Sequence, residues 1–119
     1  MARGVELTWA GGEHVFLLTV DLLRAVQDKC DAGPAYILER LSTRRWHVDD
    51  VLAPIRLGLE GGGMDKEDAR KLVKRHVEDE PLAASVLTAQ AVLMSVLYGA
   101  ADEDDGDSDS GEAPAAADA

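Results

Sequence analysis

Three histidines are the first residues to test for metal binding or catalysis. His14, His47 and His76 lie far apart in the chain, and none has a Cys, Asp or Glu at a spacing typical of a structural or catalytic zinc site. We expect His14 to end a turn beside Trp9, and His76 to lie on the surface of a helix. The sequence therefore predicts no metal site and no cofactor.

Other groups capable of catalysis also have structural explanations. Asp49 and Asp50 are paired carboxylates, but they precede an apolar, helically spaced run and are expected to cap that helix. Cys30 has no neighbouring His to lower its pKa and is expected to pack in the core. The triple glycine 61–63 is not followed by the Lys-Ser/Thr pair of a phosphate-binding loop. We therefore expect a protein that is not an enzyme.

Two basic segments raise nucleic-acid binding as an alternative. Arg44 and Arg45 adjoin Trp46, and residues 70–75 form a basic edge. Eight of the 23 acids lie in residues 102–118, which have no Lys or Arg; residues 1–100 therefore keep 15 acids against 12 bases, or −3 of the total charge of −11. Because the body is not basic and the acidic segment would compete for the same cations, this alternative is the weaker one.

The first element that can position side chains is a hairpin over "VELTWAGGEHVFLLT", residues 5–19. If Gly11 and Gly12 form the two-residue turn, the bulky apolar side chains share one face. The predicted facing pairs are Trp9 with His14, Leu7 with Phe16, and Val5 with Leu18. An isolated hairpin is marginally stable in water, so this face must pack on the helices.

Helical spacing and capping residues predict about five helices after the hairpin. The first two predicted helices cover about 20–30 and the run from Pro34 to the Ser42–Arg45 loop, and Trp46 and Val48 are expected to form a buried bridge to the third. The third is capped by Asp49 or Asp50 and ended by Gly61–Gly63. The fourth is capped by Asp65, and the fifth covers 81–98 and is opened by Pro81. The predicted class is α+β, mostly α, with an N-terminal hairpin packed on the helices in one domain of residues 1–100. Residues 101–119 have no large apolar group and are predicted to be a disordered acidic tail.

The last predicted helix is unusual because residues 81–101 carry no charge. A membrane span is disfavoured by the polar interruptions and by the acidic flanks on both sides. One stripe is expected to pack on the domain itself: Leu82, Val86, Ala89, Leu93 and Val96. A second stripe contains Leu87, Ala91, Met94 and Tyr98. Two interpretations stay open: a central helix wrapped on all sides, or a helix partly exposed to a partner or a second copy of the chain.

Residues 3–99 resemble the small tail assembly chaperones of long-tailed bacteriophages and phage-like gene transfer agents. The resemblance is carried by the opening "RGVELTWAGGEHVFLLT", the helix "VDLLRAVQDKC", and "IRLGLEGGG" leading into "MDKEDARKLV". It implies a non-enzymatic helper that binds the tape-measure protein while the tube polymerises, with tail tube subunits as a second candidate partner. The Arg44–Trp46 loop and the long acidic tail depart from the family pattern.

The expected function combines this resemblance with the uncharged helix. A client's apolar helix would be buried transiently against Leu87, Ala91, Met94 and Tyr98, with Trp46 as a weaker addition. The single cysteine and the residues before Val5, which do not form a signal peptide, predict the cytoplasm of the host or producing cell. The alternatives are a structural tail component retained in the particle and a small nucleic-acid-binding regulator.

Overall fold

The computed structural model describes residues 4–99 as a hairpin followed by five α-helices. The elements are β1 (Val5–Trp9), β2 (Gly12–Phe16), α1 (Val20–Cys30), α2 (Pro34–Ser42), α3 (Val48–Gly61), α4 (Lys66–Val73) and α5 (Val86–Tyr98). A π-helical turn at Lys74–Glu78 and a 3-10 turn at Leu82–Ser85 connect α4 to α5. The predicted fold class is confirmed, and the predicted tail over 101–119 lies outside the described residues.

The hairpin turns one residue earlier than predicted. Ala10 and Gly11 form the loop, and Gly12, at a φ of 112°, begins β2. The observed facing pairs are Trp9 with Gly12, Leu7 with His14, and Val5 with Phe16. The predicted pairs are therefore wrong by two residues. Because side chains alternate sides with a period of two, a shift of two residues leaves the same side chains on the buried face. Trp9, Phe16 and Leu18 are buried there, as predicted.

Helix α3 lies at the centre of the domain. It packs against α1, α2, α4, α5 and β2, and the side chains of Val51, Ile55 and Leu59 are almost completely inaccessible to solvent. The other helices each add one apolar face to the same core. A core arranged around one helix leaves the outer elements with one covered side and one open side.

The hairpin is fixed to the C-terminal end of α3 by close backbone contact. The Leu17 amide donates to the Gly58 carbonyl at 2.9 Å. A Cβ on Gly61 would lie 1.7 Å from the Leu17 carbonyl oxygen, and a Cβ on Gly62 would lie 1.9 Å from the Val15 carbonyl oxygen. Only residues without side chains fit at these two positions, so the glycines that end α3 also allow the hairpin to cover one side of the helices.

The start of α3 differs from the prediction. His47 is the N-cap residue, whereas Asp49 and Asp50 lie inside the first turn. The Asp50 carboxylate accepts a hydrogen bond from the His47 amide at 2.8 Å, so it satisfies a free helix donor from the third helical position. Val48 was expected to be buried, but as the first residue of α3 it is exposed; Trp46 is half-buried.

Of the last two helices, α4 begins as predicted and α5 does not. Asp65 caps α4 as predicted, accepting from the Glu67 amide at 3.0 Å. The last helix begins later than predicted: Pro81 precedes the 3-10 turn, and the α-helix proper starts at Val86. Among residues 4–99, no helix combines the length and apolarity that crossing a membrane requires.

Candidate protein-binding surface

One face of α5 presents large apolar side chains to solvent. Leu87 is 79% exposed, Met94 47% and Tyr98 70%, and Ala91 between them is half-buried. At 3.6 residues per turn, spacings of 4, 7 and 11 residues place these four side chains within about 60° of one another along roughly 16 Å of helix. We call Leu87, Ala91, Met94 and Tyr98 the α5 strip. It is an unbroken apolar line on the surface of a single protomer.

The opposite face of α5 supplies core contacts. Ala89, Val92 and Leu93 are buried, whereas Val86 and Val96 are partly buried against the core. The predicted inner stripe is therefore found in the structure, with Val92 as an addition. In the single chain α5 is not wrapped on all sides, which leaves the α5 strip available to another molecule.

Trp46 lies beside α5 but not in the α5 strip. It lines a cavity of about 550 Å³ between the end of α2 and the start of α5. The lining residues are Leu41, Ser42, Arg44, Trp46, Ala83, Val86 and Gln90. The Gln90 amide nitrogen donates to the Ser42 hydroxyl at 3.0 Å and joins the two walls. Gln90 follows Leu87 by three residues, so the cavity adjoins the α5 strip at about 60° around the helix.

A buried ion pair fixes the loop that carries Trp46. The Arg40 guanidinium donates to both carboxylate oxygens of Asp50, at 2.9 and 2.6 Å. Asp50 is completely buried, and Arg40 also donates to the Cys30 carbonyl at 3.1 Å. Together with the bond from His47, these contacts join the end of α1, the last turn of α2 and the start of α3. They hold both ends of the loop between α2 and α3 in place.

Sequence reasoning missed this pair, although one signal pointed to it. Arg40 lies within the apolar pattern of α2, next to Leu41 and three residues after Ile37, both of which are buried. A charged residue on a buried helix face needs a buried partner of opposite charge. Asp50 is the partner, and its carboxylate raises the pKa of Arg40 above the usual arginine value through their hydrogen bonds.

Cys30 is buried next to the same ion pair, as the sequence predicts. Its thiol donates to the Asp49 carbonyl at 3.3 Å. Burial, reinforced by the Asp50 carboxylate, raises the pKa of Cys30 to about 12. The thiol is therefore protonated at neutral pH and has no nucleophilic character.

Arg44 adopts a backbone conformation that favours glycine. Its φ is 63°, and the following amide, of Arg45, donates to the Arg40 carbonyl at 2.9 Å, the bond of a Schellman helix end. A non-glycine residue in this region costs on the order of 1 kcal/mol or more. The arginine side chain nevertheless occurs here, where it lines the cavity with Trp46.

The histidines do not come together as a metal site. The Trp9 indole nitrogen donates to Nδ1 of His14 at 2.9 Å, in agreement with the prediction. His76 was expected on the surface; it is instead half-buried, with its ring centre 6.3 Å from that of Trp9, because the π-helical turn brings it towards the hairpin. Within residues 4–99, no three side chains of the ligand types are close enough to hold a metal ion.

Two of the four cations of the basic edge, residues 70–75, are paired with neighbouring acids. Arg70 is paired with Glu67, and Lys74 donates to Asp79 at 2.9 Å. Lys71 and Arg75 line a second cavity, which also contains the carboxylate of Asp68. A face with alternating charges is a poor match for a uniformly anionic nucleic acid.

The fold defines a small hairpin-and-helix protein with an exposed apolar face on α5. A model of the family described as "Phage tail tube protein, GTA-gp10" matches residues 3–99. The chain belongs to this family. The comparisons with curated proteins and with solved structures found no match. The match confirms the expected kinship with phage and gene transfer agent tails, but its description names a tail tube protein and not a chaperone.

Proposed function

We propose that this chain is a non-enzymatic structural component of a phage-type tail, which binds neighbouring tail proteins through the α5 strip. The observation that carries the proposal is the family match over residues 3–99, whose description names the tail tube. The exposure of Leu87, Met94 and Tyr98 supplies a surface for the contact. Burying a leucine or methionine side chain at an interface contributes about 1.5–3 kcal/mol.

A second candidate function is favoured by the apolar character of the same surface. An uncharged, exposed helix face can hold an apolar helix of a client, as grooves for amphipathic helices do. In that case the chain is a tail assembly chaperone that binds the tape-measure protein during tube growth in the cytoplasm and then leaves. The two functions share the α5 strip and differ in whether the chain remains in the finished tail.

Mass spectrometry of purified particles distinguishes the two functions. A structural component is expected in washed particles at a constant ratio to the tail tube protein. A chaperone is expected to be missing from particles and to co-purify with the tape-measure protein from producing cells. Absence from both fractions would contradict both functions.

The contribution of the α5 strip is tested with matched variants of the full chain. Leu87→Asp and Met94→Asp place a carboxylate on the strip, and both are expected to reduce incorporation into particles by at least tenfold with little change in melting temperature. Val20→Asp is the control, because Val20 is also an exposed aliphatic residue of a helix, at 64% exposure, but lies on α1. Equal incorporation of all three variants would exclude the α5 strip as the contact.

A further inference from the structure

The cavity between α2 and α5 has a cationic side chain and no carboxylate. Arg44 contributes its guanidinium, and the other lining residues are apolar or neutral. Within residues 4–99, Arg44 and Arg45 take part in no ion pair. Helix α5, which forms the opposite wall, is uncharged throughout. The positive charge at this cavity is therefore not compensated by the groups around it.

The cations of the basic edge, residues 70–75, offer a weaker site for an acidic segment. Asp68 lies in the same cavity as Lys71 and Arg75, and the remaining cations of that edge already hold carboxylates. An incoming acidic chain would be repelled by Asp68 and would have to displace existing ion pairs. The Arg44 cavity presents no such competition.

The chain itself contains a segment of matching charge close to α5. Residues 102–109 carry six carboxylates and no base: Asp102, Glu103, Asp104, Asp105, Asp107 and Asp109. Gln90, which lines the cavity, precedes Gly99 by nine residues, or about 14 Å of helix at 1.5 Å per residue. An extended chain spans up to about 3.3 Å per residue, so about five residues beyond Gly99 suffice to return to the level of Gln90.

We propose that residues 102–109 of this chain bind the Arg44 side of the cavity between α2 and α5. The inference goes beyond the proposed function, because it concerns a contact within one protomer. The bound segment lies next to the α5 strip and covers the Trp46 cavity while leaving the strip open. An acidic partner would have to displace it, whereas an apolar partner confined to the strip would not.

Paramagnetic relaxation in the full chain tests this contact. A nitroxide is attached at Ser110→Cys, next to the acidic segment; Cys30 is buried and leaves a single reactive thiol. At low salt, the label is expected to broaden the amide signals of Ser42, Trp46 and Gln90 more than those near Lys71. At 1 M salt, where the Debye length is about 3 Å, this broadening is expected to disappear.

Two variants distinguish binding at the Arg44 cavity from binding at the basic edge of residues 70–75. Arg44→Gly removes the cation at a φ that glycine prefers, so the fold is retained and the broadening around Gln90 is expected to fall at least threefold. Arg75→Gln, in the π-helical turn that follows α4, is the matched control and is expected to leave the broadening unchanged. The proposal is overturned if the broadening centres on Lys71, persists at 1 M salt, or is the same in Arg44→Gly as in the unsubstituted chain.

Discussion

The buried pair of Arg40 and Asp50 gives the strongest stability prediction. Asp50→Asn keeps the shape of the side chain but removes its charge, leaving the guanidinium of Arg40, a residue only 9% exposed, without a counter-ion. The carboxylate accepts two bonds from Arg40 and one from the His47 amide, and the amide of asparagine cannot accept all three. Breaking a buried ion pair by removing one partner costs about 3–5 kcal/mol. This is a large fraction of the 5–15 kcal/mol that stabilises a typical domain.

Urea unfolding followed by tryptophan fluorescence measures this loss. With m values of about 1–3 kcal/mol/M, the Asp50→Asn midpoint is expected to fall by about 1 M or more. Asp21→Asn is the control, because the Asp21 side chain is 91% exposed and its pair with Arg24 lies on the surface, where such pairs contribute about 0–1 kcal/mol.

A double variant tests the physical reason for the loss. Arg40→Met combined with Asp50→Leu removes both buried charges, and it is expected to destabilise the fold less than Asp50→Asn alone. The reasoning is refuted if Asp50→Asn costs less than about 1 kcal/mol. It is also refuted if the double variant loses as much stability as the single variants Arg40→Met and Asp50→Leu lose together.

Three further predictions concern single positions. Cys30 is expected to resist alkylation at pH 8 until the chain unfolds. Because folding raises the pKa of its thiol from 9.0 to about 12, its contribution to stability is full below pH 9 and declines as the pH rises towards 12. Urea unfolding of the wild type and of Cys30→Ala at several pH values measures this decline. Gly61→Ala is expected to detach the hairpin, since the new Cβ would meet the Leu17 carbonyl, and faster hydrogen exchange of β2 would report it. Leu93→Asp is expected to unfold the domain, because Leu93 is 0% exposed, whereas Leu87→Asp leaves the circular dichroism spectrum unchanged; equal melting losses would contradict this contrast.

The number and order of the elements could be predicted because local signals agree with the tertiary structure. Apolar residues at helical spacing, Asp65 as a cap and the glycines at 61–63 fix where helices begin and end. The turn of the hairpin could not be placed, because Gly11 and Gly12 both suit a turn and the choice depends on which residue takes positive φ. The error did not change which side chains of the hairpin are predicted to be buried, since a shift of two residues keeps them on the same face.

The candidate site was predictable where hydrophobicity alone decides it. The lack of charge in α5 and the small size of the domain left two interpretations open, a helix wrapped on all sides and a partly exposed one, and the structure has the second stripe exposed. The buried pair of Arg40 and Asp50 depends on the distance between two helices, which single-helix patterns do not contain. The cavity beside Trp46 likewise arises from the way α2 meets α5, so the sequence indicates Trp46 but not its surroundings.

The most direct test of the central claim is photo-crosslinking from the α5 strip during tail assembly. A photoreactive amino acid is placed at Met94 in one variant and at Val20 in a control, and the adducts are identified by mass spectrometry. The account predicts that Met94 forms adducts with another tail protein and that Val20 does not. Equal adducts from both positions, or none from Met94 while the chain is incorporated normally, would contradict the claim that the α5 strip binds the tail.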